Sequence, residues 1–410
     1  MGTEALTSRT RRQAPAYVPA IDGLRGLAVL WIVVLHCWGV LGQRMPLDGG
    51  PLRYLVASGY FGLDLLLVIT GFVLFLPAAQ NGGSVGPRRD YALRRAARVV
   101  PGFWVATLIA YLVALRLGEV RGGPVAWLTH LTFLHQYAHS TQDVGFGINR
   151  AMWTMTVEAT FYAVLPLVAR PFHRRPLAGV GAALLVAEGW HQLTLNLGRV
   201  FATADESSLT DAQARMAYVF PSYLAHFAFG MAAAWLSVRM RRRRRVFPSR
   251  LASAPAAAAV IGIAALALVR GRQRVSGELG PFDERARTLD RTVLMAVLVL
   301  AVALASPRAQ SVVTNGFARL VGTVSYGIYL SHMPLIYLLM PALGIEAGTT
   351  SNGDLALITV IVVPLSIAVG VVSYVFIEQP FRRFVRRGRG AAAGGVPGPL
   401  RPVAPTGARG

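Results

Sequence analysis

Apolar residues along the chain fall into long runs, separated by short polar segments that are rich in arginine. The hydrocarbon core of a bilayer is about 30 Å thick and needs roughly 20 apolar residues per helix. Ten runs approach that length, so the pattern predicts an all-α polytopic membrane helix bundle with about ten transmembrane helices. The runs are 23–42, 59–79, 93–115, 151–169, 177–197, 217–238, 251–269, 292–306, 318–342 and 355–377.

The segments outside these runs predict a simple organisation. The apolar stretch "VAWLTHLTFLHQY" at 125–137 is too short to cross a bilayer, and we expect a re-entrant or interfacial piece there. Residues 1–20 are polar, are not typical of a cleaved signal peptide and predict a cytoplasmic tail. Residues 21–383 predict one transmembrane domain without an internal repeat. Residues 384–410, rich in Gly, Pro and Ala, predict a disordered cytoplasmic tail.

Composition supports a membrane protein over a nucleic-acid-binding one. The 410 residues are 54% hydrophobic and 15% charged, with a mean hydropathy of +0.48. All 41 basic residues are arginine and the formal net charge is +22, but the arginines lie in clusters between apolar runs. We therefore interpret "RMRRRRR" at 239–245 as a topology signal beside anionic lipid headgroups, and we expect no nucleic-acid partner. The single cysteine, Cys37, excludes an internal disulfide and is expected in the core.

Arginine placement predicts the orientation. If the N-terminus is cytoplasmic, most arginines fall in or beside the inner segments, as the positive-inside rule requires. Both termini are then cytoplasmic, and the chain is a multi-pass protein of the plasma membrane. The outer segment 270–291 is the exception, although its acidic residues offset part of its positive charge.

The first run carries two ionisable residues, Arg25 and His36. Eleven residues separate them, close to three helical turns, so both side chains lie on one face and about 16 Å apart along the axis. In the predicted orientation Arg25 lies just inside the cytoplasmic surface and His36 beyond the midplane. Ionisable residues within spans are expensive and indicate function, the alternative being a packing hydrogen bond between helices.

Other runs place polar residues at a depth similar to that of His36. Counting from Ala151 as the start of its span puts Glu158 where it could meet His36, and a neutral histidine base needs such a carboxylate to orient it. We therefore expect the polar residues of five spans to form one layer with catalytic residues in it. Besides His36 these are Asp64, Glu158, His226 and His332, with Tyr326 and Tyr329 on nearly the same side of their helix as His332.

A second group lies on the cytoplasmic lead-in to the third span. Arg95 and Arg98 are one turn apart and Pro101 follows. Guanidinium forks with this spacing suit phosphate oxygens, and positive-inside signalling is the alternative. Arg88, Arg89 and Arg94 nearby are typical of ordinary topology charge.

Several motifs together resemble the acyltransferase 3 family of integral-membrane O-acyltransferases. They are "RGLAVLWIVVLH" from Arg25 to His36, "GLDLLLVITGF" with Thr70 where Ser is usual, Arg95-x-x-Arg98 before Pro101, "WTMTVEATFYAVLP" with Thr154 and Met155 as departures, "SYGIYLSH", and Glu378, Pro380 and Arg382. They occur in the family's order, and the resemblance covers residues from about 20 to 383.

The resemblance implies a cytoplasmic acyl-CoA donor and a hydroxyl acceptor at the outer half of the membrane. It implies His36 as the essential histidine, with Arg25, Arg95 and Arg98 around the donor's route. No bound cofactor and no metal is expected, and acyl-CoA, with acetyl-CoA as the default, is a co-substrate. In this hypothesis His36, oriented by Glu158, deprotonates the acceptor; transient acylation of the enzyme stays open. Oxyanion or acceptor contacts are assigned to Tyr326, Tyr329 and Trp153.

The resemblance also limits the acceptor. Some family members carry a fused hydrolase-like domain, and the lack of one after the tenth span favours a stand-alone enzyme. Its acceptor would be a hydroxyl of a glycan, a lipid-linked sugar or a secondary metabolite, and the arginine-rich, Ala/Gly-rich composition is typical of a high-GC bacterium. A proton-coupled secondary transporter is the alternative from another class, because buried His, Asp and Glu would also suit it. A structural membrane anchor is a weaker alternative.

Overall fold

The structure is a computed structural model, and it describes residues 18–42, 50–138, 143–201, 206–242, 249–278, 288–346 and 352–392. These residues form helices and contain no strand. Ten helices of 16 or more residues occur within the described ranges, and each coincides with one predicted run. They are α1 Pro19–Val40, α2 Phe61–Gln80, α3 Arg88–Leu117, α4 Trp153–Arg174, α5 Pro176–Leu195, α6 Phe220–Arg242, α7 Ser249–Val275, α8 Leu289–Leu304, α9 Gly316–Ala342 and α10 Asn352–Ser373.

Seven of these helices are long and apolar enough to cross a membrane, within the part of the chain that the structure describes. They are α1 to α4, α6, α7 and α10. The all-helical, multi-pass membrane architecture is therefore confirmed. Of the other three, α8 has only 16 residues. The count of about ten spans and the cytoplasmic placement of both termini stay predictions.

Helices α1 and α9 pack with their backbones in direct contact, and glycines make this possible. A Cβ on Gly322 would lie 1.8 Å from the Asp22 carbonyl oxygen, and one on Gly26 would lie 3.0 Å from the Gly322 nitrogen. Close approach through small residues is typical of helix pairs in membranes. The contacts between α1 and α9 follow the same order along both helices, so the two run parallel and both carry a histidine farther along.

Helices α2 and α6 form a second close pair. A Cβ on Gly71 would lie 2.3 Å from the Phe227 carbonyl oxygen, and one on Gly230 would lie 2.1 Å from the Val68 carbonyl oxygen. This approach brings the polar residues of the two helices within reach of each other. Glycines also bring α2 against α1, since a Cβ on Gly62 would lie 2.4 Å from the Ala28 carbonyl oxygen.

The segment before α4 enters the bundle without crossing it. It contains two short helices, Pro124–Leu131 and His135–Ala138, and the 3₁₀ turns Val144–Gly147 and Arg150–Met152. Phe133 and Phe146 adopt positive φ angles of 61° and 58°, which non-glycine residues rarely do. His130, His135 and Phe146 are fully buried. The segment is thus partly buried in the bundle, and its re-entrant or interfacial placement stays a prediction.

The first residues of the segment predicted as a disordered tail lie in a helix. A π turn, Tyr374–Glu378, leads into a last helix, Gln379–Ala392, which continues past Phe384 into the segment predicted as disordered. The remainder of that segment, like the N-terminal tail before Val18, lies outside the described residues.

Candidate active site

His36 and His332 meet where α1 and α9 carry them side by side. His36 Nδ1 lies 2.7 Å from His332 Nε2, and the ring planes differ by 13°. His332 is fully buried, whereas His36 is partly exposed. Sequence analysis placed both residues in one layer, and the structure shows that they form a hydrogen-bonded pair.

A proline and an asparagine fix the backbone next to His332. Pro334 has no N–H, so the Leu330 carbonyl, four residues earlier, lacks its helical donor. The buried Asn149 side chain donates to that carbonyl instead, with Nδ2 at 2.8 Å. Asn149 was missed by sequence reasoning, although an intrahelical proline signals that a carbonyl needs a donor from elsewhere.

Three arginines line one cavity. Arg25 from α1 and Arg95 and Arg98 from α3 contribute to the walls of a cavity with about 740 Å³ of empty space, part of it open to solvent. Arg25 Nη1 also lies 3.7 Å from Asp22 Oδ1, and 14% of its side-chain surface is exposed. The three predicted donor-binding residues are thus brought together. Guanidinium groups that converge in this way suit a phosphate-bearing ligand.

The same cavity contains Glu158, which is the one carboxylate among its described lining residues. Glu158 Oε2 accepts a 2.5 Å hydrogen bond from the Tyr162 hydroxyl, and Oε1 accepts one from Thr70 Oγ1 at 3.5 Å. Glu158 shares no hydrogen bond with His36. The expected pairing of His36 with Glu158 is therefore absent from the described structure, and His332 occupies the partner position.

The depth assigned to Glu158 from the sequence explains this difference. That depth assumed that α4 begins at the membrane surface near Ala151. Ala151 is instead buried in the bundle, where its carbonyl accepts a hydrogen bond from the Tyr329 hydroxyl at 3.0 Å. Glu158, two turns farther along α4, consequently lies beside the arginines.

The two tyrosines assigned to an oxyanion have other hydrogen-bond acceptors in this structure. The Tyr326 hydroxyl donates to the Val99 carbonyl at 2.7 Å, and the Tyr329 hydroxyl donates to Ala151. Both residues line the cavity. The ring of Tyr329 also contacts that of His332, with centroids 5.6 Å apart. Neither histidine is among the described residues of the cavity wall. Tyr329 both lines the cavity and contacts His332, so it is adjacent to the cavity and to the histidine pair.

Asp64 lies in a different cluster from His36. Its Oδ2 accepts a hydrogen bond from Arg291 Nε at 2.5 Å, and its Oδ1 lies 3.1 Å from His226 Nε2. All three side chains are buried. Asp64 thus pairs with residues of α8 and α6, whereas His36 pairs with His332 of α9. Among the described residues, Asp64 shares no hydrogen bond with His36 or His332, so its catalytic role stays a prediction.

Trp153 also lies apart from the cavity. Its ring packs in the core against Tyr218 and Tyr223, with centroid distances of 4.6 Å and 5.2 Å. It is buried and is absent from the described cavity wall. This position indicates packing of α4 against α6 rather than contact with an acceptor.

The segment before α4, from Pro124 to Met152, contributes to a ring stack that sequence reasoning did not anticipate. Phe103, His135, His130 and Phe146 stack in that order, with centroid distances of 5.6 Å, 4.5 Å and 5.0 Å. Hydrogen bonds hold the two histidines: Gly145 N donates to His130 Nε2 at 2.9 Å, and His135 Nε2 lies 2.9 Å from the Met152 carbonyl. These histidines serve packing, and they fix the segment that carries Asn149.

A family model described as an acyltransferase domain matches residues 18–375 of the chain. The chain is 25% identical over 397 residues to a putative peptidoglycan O-acetyltransferase, YrhL, of Bacillus subtilis, and the match covers 92% of this chain and 57% of the relative. It is 25% identical over 402 residues to the peptidoglycan O-acetyltransferase OatA of Listeria monocytogenes, with the same two coverages.

A third relative is named for a different role. The exopolysaccharide production protein ExoZ of Rhizobium meliloti is 29% identical over 348 residues, which cover 81% of this chain and 91% of the relative. The chain thus spans little more than half of the first two relatives and most of the third. No solved structure gives a significant match.

Proposed function

The chain belongs to the acyltransferase 3 family, and on that premise we propose that it is a membrane-bound O-acyltransferase that transfers an acetyl group from acetyl-CoA to a glycan hydroxyl. The observation that carries the proposal is the convergence of Arg25, Arg95 and Arg98 on one cavity that approaches a hydrogen-bonded histidine pair. Phosphate recognition and a histidine base are the two elements that acyl transfer from a CoA thioester to a hydroxyl requires.

The arginines would hold the phosphates of the donor. The described cavity wall includes three arginines and one glutamate, so it is net positive and attracts an anion. Val73, Leu74 and Met155 supply apolar walls between the polar groups, which suit the largely uncharged pantetheine arm. The rise of about 16 Å from Arg25 to His36 along α1 is comparable to the length of that arm.

His36 would act as the general base. Neutral His36 takes the proton from the acceptor hydroxyl while the oxygen forms a bond to the thioester carbonyl carbon. The tetrahedral intermediate then collapses, the carbon–sulfur bond breaks, and the CoA sulfur takes the proton back from His36. The thioester would reach this point past Tyr329, which lines the cavity and contacts the ring of His332.

The acceptor class comes from the relatives. Two of them are named peptidoglycan O-acetyltransferases and one an exopolysaccharide production protein. We propose a sugar hydroxyl of a cell-surface glycan or its lipid-linked precursor, presented at the outer half of the plasma membrane. In the same proposal, both termini lie in the cytoplasm and the arginine cavity opens to the cytoplasmic side.

Radiolabelled acetyl-CoA supplied to membranes that contain the full chain tests this function. We expect wild type to transfer label to a membrane-associated or extracted glycan, and His36→Ala to lose transfer by about 10²–10⁴-fold, the usual contribution of a general base. His173→Ala, at the far end of α4, is the matched histidine control and should retain transfer. Uptake of a substrate into vesicles without covalent labelling would instead favour the proton-coupled transporter.

A further inference from the structure

We propose that His332 is a positioning residue that fixes the tautomer of His36, leaving His36 Nε2 as the basic nitrogen. This inference rests on the proposed function for its catalytic meaning, since it assigns a partner to the base named there. It replaces the carboxylate expected from the sequence with a second, neutral imidazole. The assignment follows from the hydrogen bonds of the two rings, taken in order from the buried end.

His332 begins the chain of hydrogen bonds. Its Nδ1 lies 3.3 Å from the Ile328 carbonyl oxygen, one turn earlier on α9. A carbonyl only accepts, so Nδ1 of His332 carries the proton. In a neutral ring Nε2 then has a lone pair and accepts, and the group 2.7 Å away, His36 Nδ1, must be the donor. Neutral His36 consequently carries its proton on Nδ1 and a lone pair on Nε2.

The arrangement of the rings makes this hydrogen bond a strong constraint. The 4.9 Å between ring centroids equals the 2.7 Å between nitrogens plus the two short centre-to-nitrogen distances, and the planes differ by only 13°. The rings therefore lie edge to edge in nearly one plane. The N–H of His36 points along the in-plane lone pair of His332, which is the preferred geometry of a hydrogen bond.

Burial separates the roles of the two histidines. His332 is fully buried, and both ring nitrogens are used in contacts within α1 and α9, so it has no free edge for a substrate. His36 is partly exposed and uses only Nδ1 in the pair. A neutral imidazole also orients the base without placing an uncompensated carboxylate charge inside the membrane, which would be costly.

Nitrogen NMR of the full chain in detergent micelles, with ¹⁵N-labelled histidine, tests the tautomer directly. The His36 signals are those that disappear in His36→Asn. We expect wild-type His36 to show a protonated Nδ1 and an unprotonated Nε2. His332→Phe keeps a ring but removes the acceptor, and it should convert His36 to a mixture of tautomers. His173→Gln is the matched control and should leave the His36 signals unchanged.

Kinetics of the same variants test the positioning role. We expect His332→Phe to lower kcat by about 10²-fold or more with the KM for acetyl-CoA unchanged, because the arginine cavity is intact. His332→Gln places an amide oxygen near the position of Nε2 and should restore part of kcat together with the Nδ1-protonated signal. A kcat that falls equally in His332→Gln and His332→Phe would contradict positioning.

The outcomes distinguish this inference from the proposed function. Wild-type His36 protonated on Nε2, or His36 signals unchanged by His332→Phe, would overturn the inference even if acetyl transfer is robust. Absence of acetyl transfer by wild type, together with the expected tautomer, would overturn the proposed function and leave the hydrogen-bond assignment standing.

Discussion

Gly322 of α9 lies directly against the backbone carbonyl of Asp22 of α1, so that a Cβ at this glycine would come within 1.8 Å of the carbonyl oxygen. No side chain can occupy that space without moving one of the helices apart from the other. The contact precedes the histidines on both helices, and it sets the separation at which His36 and His332 meet.

Gly322→Ala should therefore weaken both the fold and the histidine pair. Overpacking of a tight interface costs about 1–3 kcal/mol, so we expect a lower Tm in detergent and a loss of acetyl transfer. Gly181→Ala on α5 is the matched control, since a Cβ there meets nothing within 4 Å. That control should be neutral or slightly stabilising, because alanine is the better helix former. Equal Tm values for the two variants would contradict the tight contact.

Replacing the cavity arginines should affect donor binding. Hydrogen bonds to charged groups contribute about 1.5–3 kcal/mol each, so Arg98→Ala should raise the KM for acetyl-CoA by about 10–100-fold. Arg98→Lys keeps the charge but loses the two-pronged geometry and should recover only part of the binding. Arg89→Ala, an exposed position on the same helix, should leave KM unchanged. A similar KM for Arg89→Ala and Arg98→Ala would indicate a general effect of surface charge.

The Asp64–Arg291 ion pair should act on stability rather than on chemistry. Asp64→Asn leaves the buried Arg291 charge without its carboxylate, and removal of one partner of a buried pair costs about 3–5 kcal/mol. We expect a large fall in Tm, with Asp64→Leu combined with Arg291→Met recovering much of it. Retained acetyl transfer by that double variant would confirm a structural role. Loss of transfer by a fully stable double variant would restore Asp64 to the catalytic group.

A double-mutant cycle tests the link between Asn149 and Pro334. Asn149→Ala alone leaves the Leu330 carbonyl buried without a donor, at a cost of about 1–3 kcal/mol in the free energy of unfolding. Pro334→Ala restores a backbone N–H to the helix, so Asn149→Ala should cost less in that background. Tm values of the four proteins measure the coupling. Additive effects would show that the two residues act independently.

Hydropathy and charge predicted where each helix lies in the sequence better than which helices pack against each other. Each of the ten apolar runs coincides with a helix, because burial in lipid requires a continuous helical stretch whatever the packing. The three arginines of the proposed donor site were singled out by their spacing and their motifs, and the structure brings them to one cavity. Such information is local, and it is present in one sequence.

Pairing between helices was not predictable in the same way. The sequence gives the depth of a residue along its helix but not which helix it faces, and so His36 was assigned to Glu158 instead of His332. The partners of Asp64, Arg291 and His226, could not be assigned from one sequence for the same reason. The depth predicted for Glu158 assumed that α4 starts at the membrane surface near Ala151. Ala151 is instead buried inside the bundle, where it contacts Tyr329.

The two-point attachment of α1 to α9 has a mechanical consequence. Glycine contact at Asp22 and Gly322 holds one end, and the imidazole hydrogen bond holds the other, some 14 residues or about 20 Å farther along α1. Two separated contacts prevent one helix from hinging away from the other and from rotating about it. We therefore expect α1 and α9 to move as one rigid unit. Any movement that admits a substrate would come from the helices around this pair.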